Sequence, residues 1–308
     1  MPLFVFLPGA PFALLFRYLF FLKIFRYVSA SACRQKALAD PPLAKPIITL
    51  SHDAAPLGSP IEITYAFEVA ASPPSIKENY KVFVHVLDSD DDLMWTDDHD
   101  PPVPTTQWKP GQKVEYTRTV FIPLYPYVGE AVIRLGLYSG GTQKRVALSG
   151  DTIGQQEYRV GKIQLLPQTE NVFTAFKDGW HQPETPVNDA HIEWQWTKKK
   201  DAILAFKNPK KDSLFYFEVD NPSRTFPEGQ HVQVKLRDKI LDDFTLRTEQ
   251  MVLHKIPLPA AQMGSDEMVE LTISVDKTFV PALVDGANSK DHRELGIRVF
   301  HAFIQPGK

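Results

Sequence analysis

The chain has 308 residues, 43% of them apolar, and a formal net charge of −3; that length accommodates about two domains. The charge excludes a general nucleic-acid binder, which needs a basic face to displace phosphate counterions. The single cysteine, Cys33, excludes an internal disulfide framework and a cysteine-based zinc site, and 26 prolines favour short strands and turns over long helices.

Residues 1–39 read as a signal or anchor segment. An apolar run is broken by Pro8, Gly9 and Pro11 and then punctuated by Arg17, Lys23 and Arg26. It lacks the roughly 18 clean apolar residues of a spanning helix. Two processing readings compete. Ala37-Leu38-Ala39 before Asp40 is a small-x-small cleavage site. Ala30-Ser31-Ala32-Cys33 is similar to a bacterial lipobox, with alanine where leucine is usual, and makes Cys33 a lipidation candidate. An uncleaved anchor held at the interface by Arg17, Lys23 and Arg26 is a third. The lipidated and uncleaved readings imply membrane contact through a lipid or the N-terminus. The only Asn-x-Ser/Thr-like triplet, Asn221-Pro222-Ser223, is blocked by its proline. The expected location is therefore a bacterial periplasm, outer membrane or cell surface.

Beyond residue 40 a period of two dominates. In IEITYAFEV (61–69), Ile61, Ile63, Tyr65, Phe67 and Val69 fall on one face and Glu62, Thr64 and Glu68 on the other. VFVHVL (82–87) is apolar on both faces except at His85, as a central strand would be; KVEYTRTVFI and EAVIRLGLYSG follow around a proline-rich turn. KIQLLPQTENV (162–172) reads as a closing strand and linker. A second set then begins with HIEWQW (191–196), where Ile192, Trp194 and Trp196 share a face expected in the core. It runs through ILAFKN, SLFYFEVD, HVQVKL, DDFTL, MVLHKIPL and VELTISV to ELGIRVFHAFI, with a hairpin turning at Arg237-Asp238-Lys239. The expectation is all-β: two tandem antiparallel β-sandwich domains, Ig-like or jelly-roll-like, over 45–166 and 170–305.

YKVFVHVLDSDDDLMWTDDHDPP (80–102), the WKPG turn at Trp108–Gly111 and YVGEAVIRLGLYS (127–139) together resemble a sandwich domain appended to bacterial membrane glycosyltransferases and other envelope proteins. GWHQPE, WQWT, VDKTFVP and DHRELGIRV in the second half are similar to a partner sandwich in envelope and polysaccharide-related proteins. The resemblance implies the fold and an envelope setting. It does not imply glycosyl transfer, because these residues include no multi-span membrane domain, and sandwiches host many functions.

Seven aspartates lie between Asp88 and Asp100. Asp88, Asp90 and Asp92 have the alternate spacing of a calcium loop, but Leu93 and His99 stand where an EF-hand needs glycine and glutamate. Asp97, Asp98 and Asp100 would add ligands if the strands folded both clusters together. The competing reading is a solvated hairpin tip whose aspartates cap turns. Weak Ca2+ is thus the one cofactor considered. His85 reads as a structural histidine. Trp180, His181 and Glu184, with Trp108, form the candidate glycan platform, set against the alternative that both tryptophans pack on or plug the core. Asp291 and Arg293 read as a structural clasp, with Asp276 a possible partner. Nucleophile-elbow, zinc-protease, P-loop and dinucleotide motifs are absent, so no catalytic residue is assigned.

Three functions follow: a non-enzymatic envelope protein binding polysaccharide or another envelope component; a polysaccharide hydrolase with an interdomain site; and an assembly subunit pairing through sheet edges.

Overall fold

The computed structural model describes residues 40–168, 174–186, 192–247, 251–286 and 288–307. Residues 1–39, read above as a signal or anchor segment, and with them Cys33, lie outside the described residues. Residues from Asp40 onward form one compact unit, which contains two separate hydrophobic cores.

The first core lies between two sheets. One has three strands in the order β1 (Ala44–Leu50), β3 (Pro60–Val69) and β6 (Lys113–Phe121). The other runs β2 (Ala54–Pro56), β10 (Glu157–Leu166), β7 (Gly129–Ser139), β4 (Tyr80–Leu87), β5 (Leu93–Thr96), with β8 (Arg145–Val146) and β9 (Asp151–Gly154) attached to β7 and β10. The alternation in β3 produces the expected face: Tyr65 and Phe67 are fully buried and Ile61, Ile63 and Val69 nearly so. Each such aromatic contributes about 1.5 to 3 kcal/mol by leaving water. β4 is an inner strand, paired on both sides. One pairing departs from the all-antiparallel expectation: β2 runs parallel to β10, Ala54 opposite Gln164.

The second core lies between β11 (Thr174–Phe176), β13 (Asp201–Lys207), β18 (Met268–Val275), β15 (Gln230–Leu236), β16 (Lys239–Leu246) and a sheet ordered β12 (Gln195–Trp196), β19 (Arg298–Pro306), β14 (Ser213–Asp220), β17 (Val252–Leu258). Phe206, Phe215 and Phe217 fill its centre. The β15–β16 hairpin closes with Leu236 opposite Lys239, so the turn is the two-residue Arg237-Asp238, with Arg237 at φ 54°. HIEWQW behaves differently from its alternation. Only Gln195–Trp196 is strand; Trp196 is buried, Trp194 half-buried and Ile192 exposed. Beyond its single bridge to Glu184, Trp194 has no continuous strand partner to hold that alternation.

The two halves touch where β6 ends. Phe121, at the end of β6, stacks on the His301 ring with centroids 3.8 Å apart and planes 4° apart, and meets Tyr216 edge-on at 6.3 Å. Lys255 pairs with Glu62 across the same junction.

Candidate functional site

The acidic run disperses instead of converging. Asp88 Oδ1 accepts the amides of Asp90 (2.9 Å) and Asp92 (3.0 Å), a turn that places Asp91 at φ 65°. Asp91 pairs with Arg134, Asp98 accepts the Val84 amide, and Asp100 faces Lys81. Among the described residues no three His, Cys, Asp or Glu side chains gather to hold a metal. The six aspartates of the calcium reading, Asp88, Asp90, Asp92, Asp97, Asp98 and Asp100, thus form no such cluster: Asp88 and Asp98 accept backbone amides, and Asp97 and Asp100 face Arg118 and Lys81.

Asp97 is also not solvated. It lies 8% exposed beneath the sheet, accepts Tyr65 Oη at 2.8 Å, and takes a fork from Arg118 with Nη2 at 2.7 Å and Nε at 3.0 Å. His99 Nδ1 donates to the Asp97 carbonyl (2.7 Å), so in the neutral ring Nε2 accepts from Tyr116 Oη (2.7 Å). Burial pushes the His99 imidazole below its ordinary value, and burial, then the Asp97 charge, raises the Tyr65 phenol. This network ties the end of β5 to β3 and β6, one sheet to the other. His85 sits on the outer face of its sheet, with Nδ1 3.2 Å from Glu157.

The two tryptophans of the candidate glycan platform lie inside. Trp180 is 7% exposed, donates Nε1 to the Ile203 carbonyl (2.8 Å) and packs edge-on to Phe176. Gly179 makes this possible: its φ is 89°, and a Cβ there would lie 2.5 Å from the Ala202 Cα. Trp108 is 5% exposed, packs on Phe67 and donates to the Val103 carbonyl. Large flat rings whose N–H finds a carbonyl are more favourably placed inside than in water. His181 Nε2 donates to the Glu294 carbonyl, and Glu184 is held by Arg293 Nη1 at 2.6 Å. Arg293 also forks onto Asp291, so the clasp exists in a turn but with Asp291 and Glu184 as its carboxylates; Asp276 instead accepts the His231 amide.

The structure offers a different site. A cleft of about 610 Å³ opens where the halves meet, with Ile122 and Leu124 on one wall and Trp194, Phe300, Glu218 and His301 on the other. Such a volume suits a small ligand held by aromatic walls and a few polar groups. Trp194 and Phe300 have ring centroids 6.0 Å apart. The Arg298 guanidinium lies 5.0 Å from the Trp194 centroid and 5.2 Å from that of Phe300, fixed by a fork onto buried Asp220. Glu218 accepts His301 Nδ1 at 2.6 Å, and Gln168, Thr174, Glu193 and Gln195 add further polar groups to the lining. Three exposed apolar side chains, Leu124, Ile192 and Met251, rim the opening. The signal in the sequence was WQWT itself, whose two tryptophans were both expected in the core; Trp196 is buried and Trp194 half-buried.

No protein-family model and no curated protein matches the sequence. Solved structures similar to the chain include the C-terminal CBM6 of a marine laminarinase from Zobellia galactanivorans, at 10% identity over 42% of this chain and 100% of that one, TM-score 0.23. The tandem CBM22-1–CBM22-2 of a Paenibacillus barcinonensis protein is 12% identical over 82% and 80%, TM-score 0.26. Tripeptidyl peptidase 2 is 9% identical over 85% and 20%, TM-score 0.22. At such scores the likeness carries no argument about function.

Proposed function

We propose that this is an exported or lipid-anchored, non-enzymatic protein of the bacterial cell envelope that binds a glycan in the cleft between its two sandwiches. The observation that carries the reading is the pairing, in one cleft, of the aromatic Trp194 and Phe300 with Glu193, Gln195 and the Glu218–His301 pair. Pyranose rings present an apolar face and a girdle of hydroxyls, and a wall that alternates aromatic and carboxylate or amide groups answers both. The resemblance of its motifs to envelope sandwich domains supports the location, and the apolar N-terminus supports export.

Affinity electrophoresis of the full-length protein through gels carrying soluble polysaccharides tests it. Retardation by at least one polysaccharide, lost in Trp194→Ala while the melting temperature holds, is the expected result. An unretarded protein across neutral, basic and acidic polysaccharides ends the reading, and release of reducing ends replaces it with hydrolysis. Mass determination of the mature N-terminus separates a lipidated Cys33 from a start at Asp40 and from an intact Met1.

A further inference from the structure

We infer that the cleft sorts glycans by charge, admitting neutral and amine-bearing sugars and rejecting those that carry uronate or sulfate groups. This rests on the glycan-binding reading above and assigns its specificity to Glu193 and Glu218. Among the described residues that line the cleft, those two carboxylates and His301 are the ionisable side chains. His301 is committed on Nδ1 to Glu218 and on one ring face to Phe121. The neighbouring guanidinium, Arg298, has its charge answered by Asp220 and stands over the aromatic rings. The lysine of the junction, Lys255, is held by Glu62. An acidic sugar entering here sheds water from its carboxylate and meets like charge, with no free cation among the described lining residues to replace that water; an ammonium meets the opposite sign. Glu193 is exposed and its share is screened by salt, whereas Glu218 is partly enclosed and its share persists.

The test is affinity electrophoresis of the full-length protein in gels of a neutral β-glucan, a glucosamine polymer and polygalacturonate. The neutral and basic polymers are expected to retard it at least about tenfold more strongly than polygalacturonate, the ratio that a single unscreened charge contact produces. Glu218→Gln and Glu193→Gln are expected to narrow that ratio, and raising the salt is expected to narrow it in the native protein. Should Glu218→Gln fold poorly, Glu193→Gln and the salt series decide alone. Polygalacturonate retarding as strongly as glucan, with Trp194→Ala abolishing both, overturns the charge rule and leaves the glycan site standing. A ratio that neither variant nor salt moves overturns the assignment to these carboxylates. Retardation by none of the polymers overturns both readings.

Discussion

Asp97 is one of seven aspartates in a short stretch, yet it alone lies buried against Tyr65 and Arg118. Removing its charge leaves the Arg118 fork unanswered. Asp97→Asn is expected to cost about 2 to 4 kcal/mol, and Tyr65→Phe, which deletes one neutral donor, about 1 kcal/mol; urea midpoints at constant m-value measure both. Neighbouring His99 gives the network a pH dependence. Its folded pKa lies below the unfolded value near 6.5, so the unfolded chain binds the proton first. The neutral ring therefore contributes stability above about pH 6.5, and that contribution drains away as pH falls through the folded value. The melting temperature of His99→Gln is expected to vary less with pH than that of the native protein between about pH 6.5 and 5. None of this was legible in the sequence. The partners of Asp97 lie 32 and 21 residues away, and nothing local separates it from Asp98.

Strands were legible wherever one face is dry and the other wet. β3, β14 and β15 alternate or run apolar as their burial demands, and the sequence marks them within a residue or so. Short pieces with no room for a pattern escaped, above all β2, whose three residues pair parallel to β10. The linker reading also placed the start of the closing strand at residue 162, whereas β10 begins at Glu157 and absorbs a register shift between Arg159 and Gly161. Turns carry their own requirements. Gly179 positions Trp180 by a positive φ and by backbone contact with Ala202, so Gly179→Ala is expected to destabilise by about 1 to 3 kcal/mol. Arg237 occupies a left-handed position in a two-residue hairpin, and its ion pair with Asp266 is exposed. Arg237→Asn is expected to stabilise by about 0.5 kcal/mol, because asparagine tolerates that conformation better and the lost pair is worth little. Thermal melts of the two variants should move in opposite directions.

At the scale of the whole molecule, the contact of Phe121 with His301 and Tyr216, together with the Lys255–Glu62 pair, links the halves that carry the two cores. Phe121→Ala is expected to remove about 1 to 3 kcal/mol of coupling and to split the calorimetric transition into two, one for each core. A single transition unchanged in width would show that the halves are joined elsewhere. The junction escaped sequence reading because its members, such as Glu62 and Lys255, stand 193 residues apart. Because the cleft takes one wall from each core, neither half owns it. On the glycan-binding proposal, severing the halves removes one wall of the site, so capture demands an uncut chain. Conversely, an occupant gripped by both walls acts as a staple, and saturation at about a hundred times its dissociation constant defers the unravelling of both halves by about 2.7 kcal/mol.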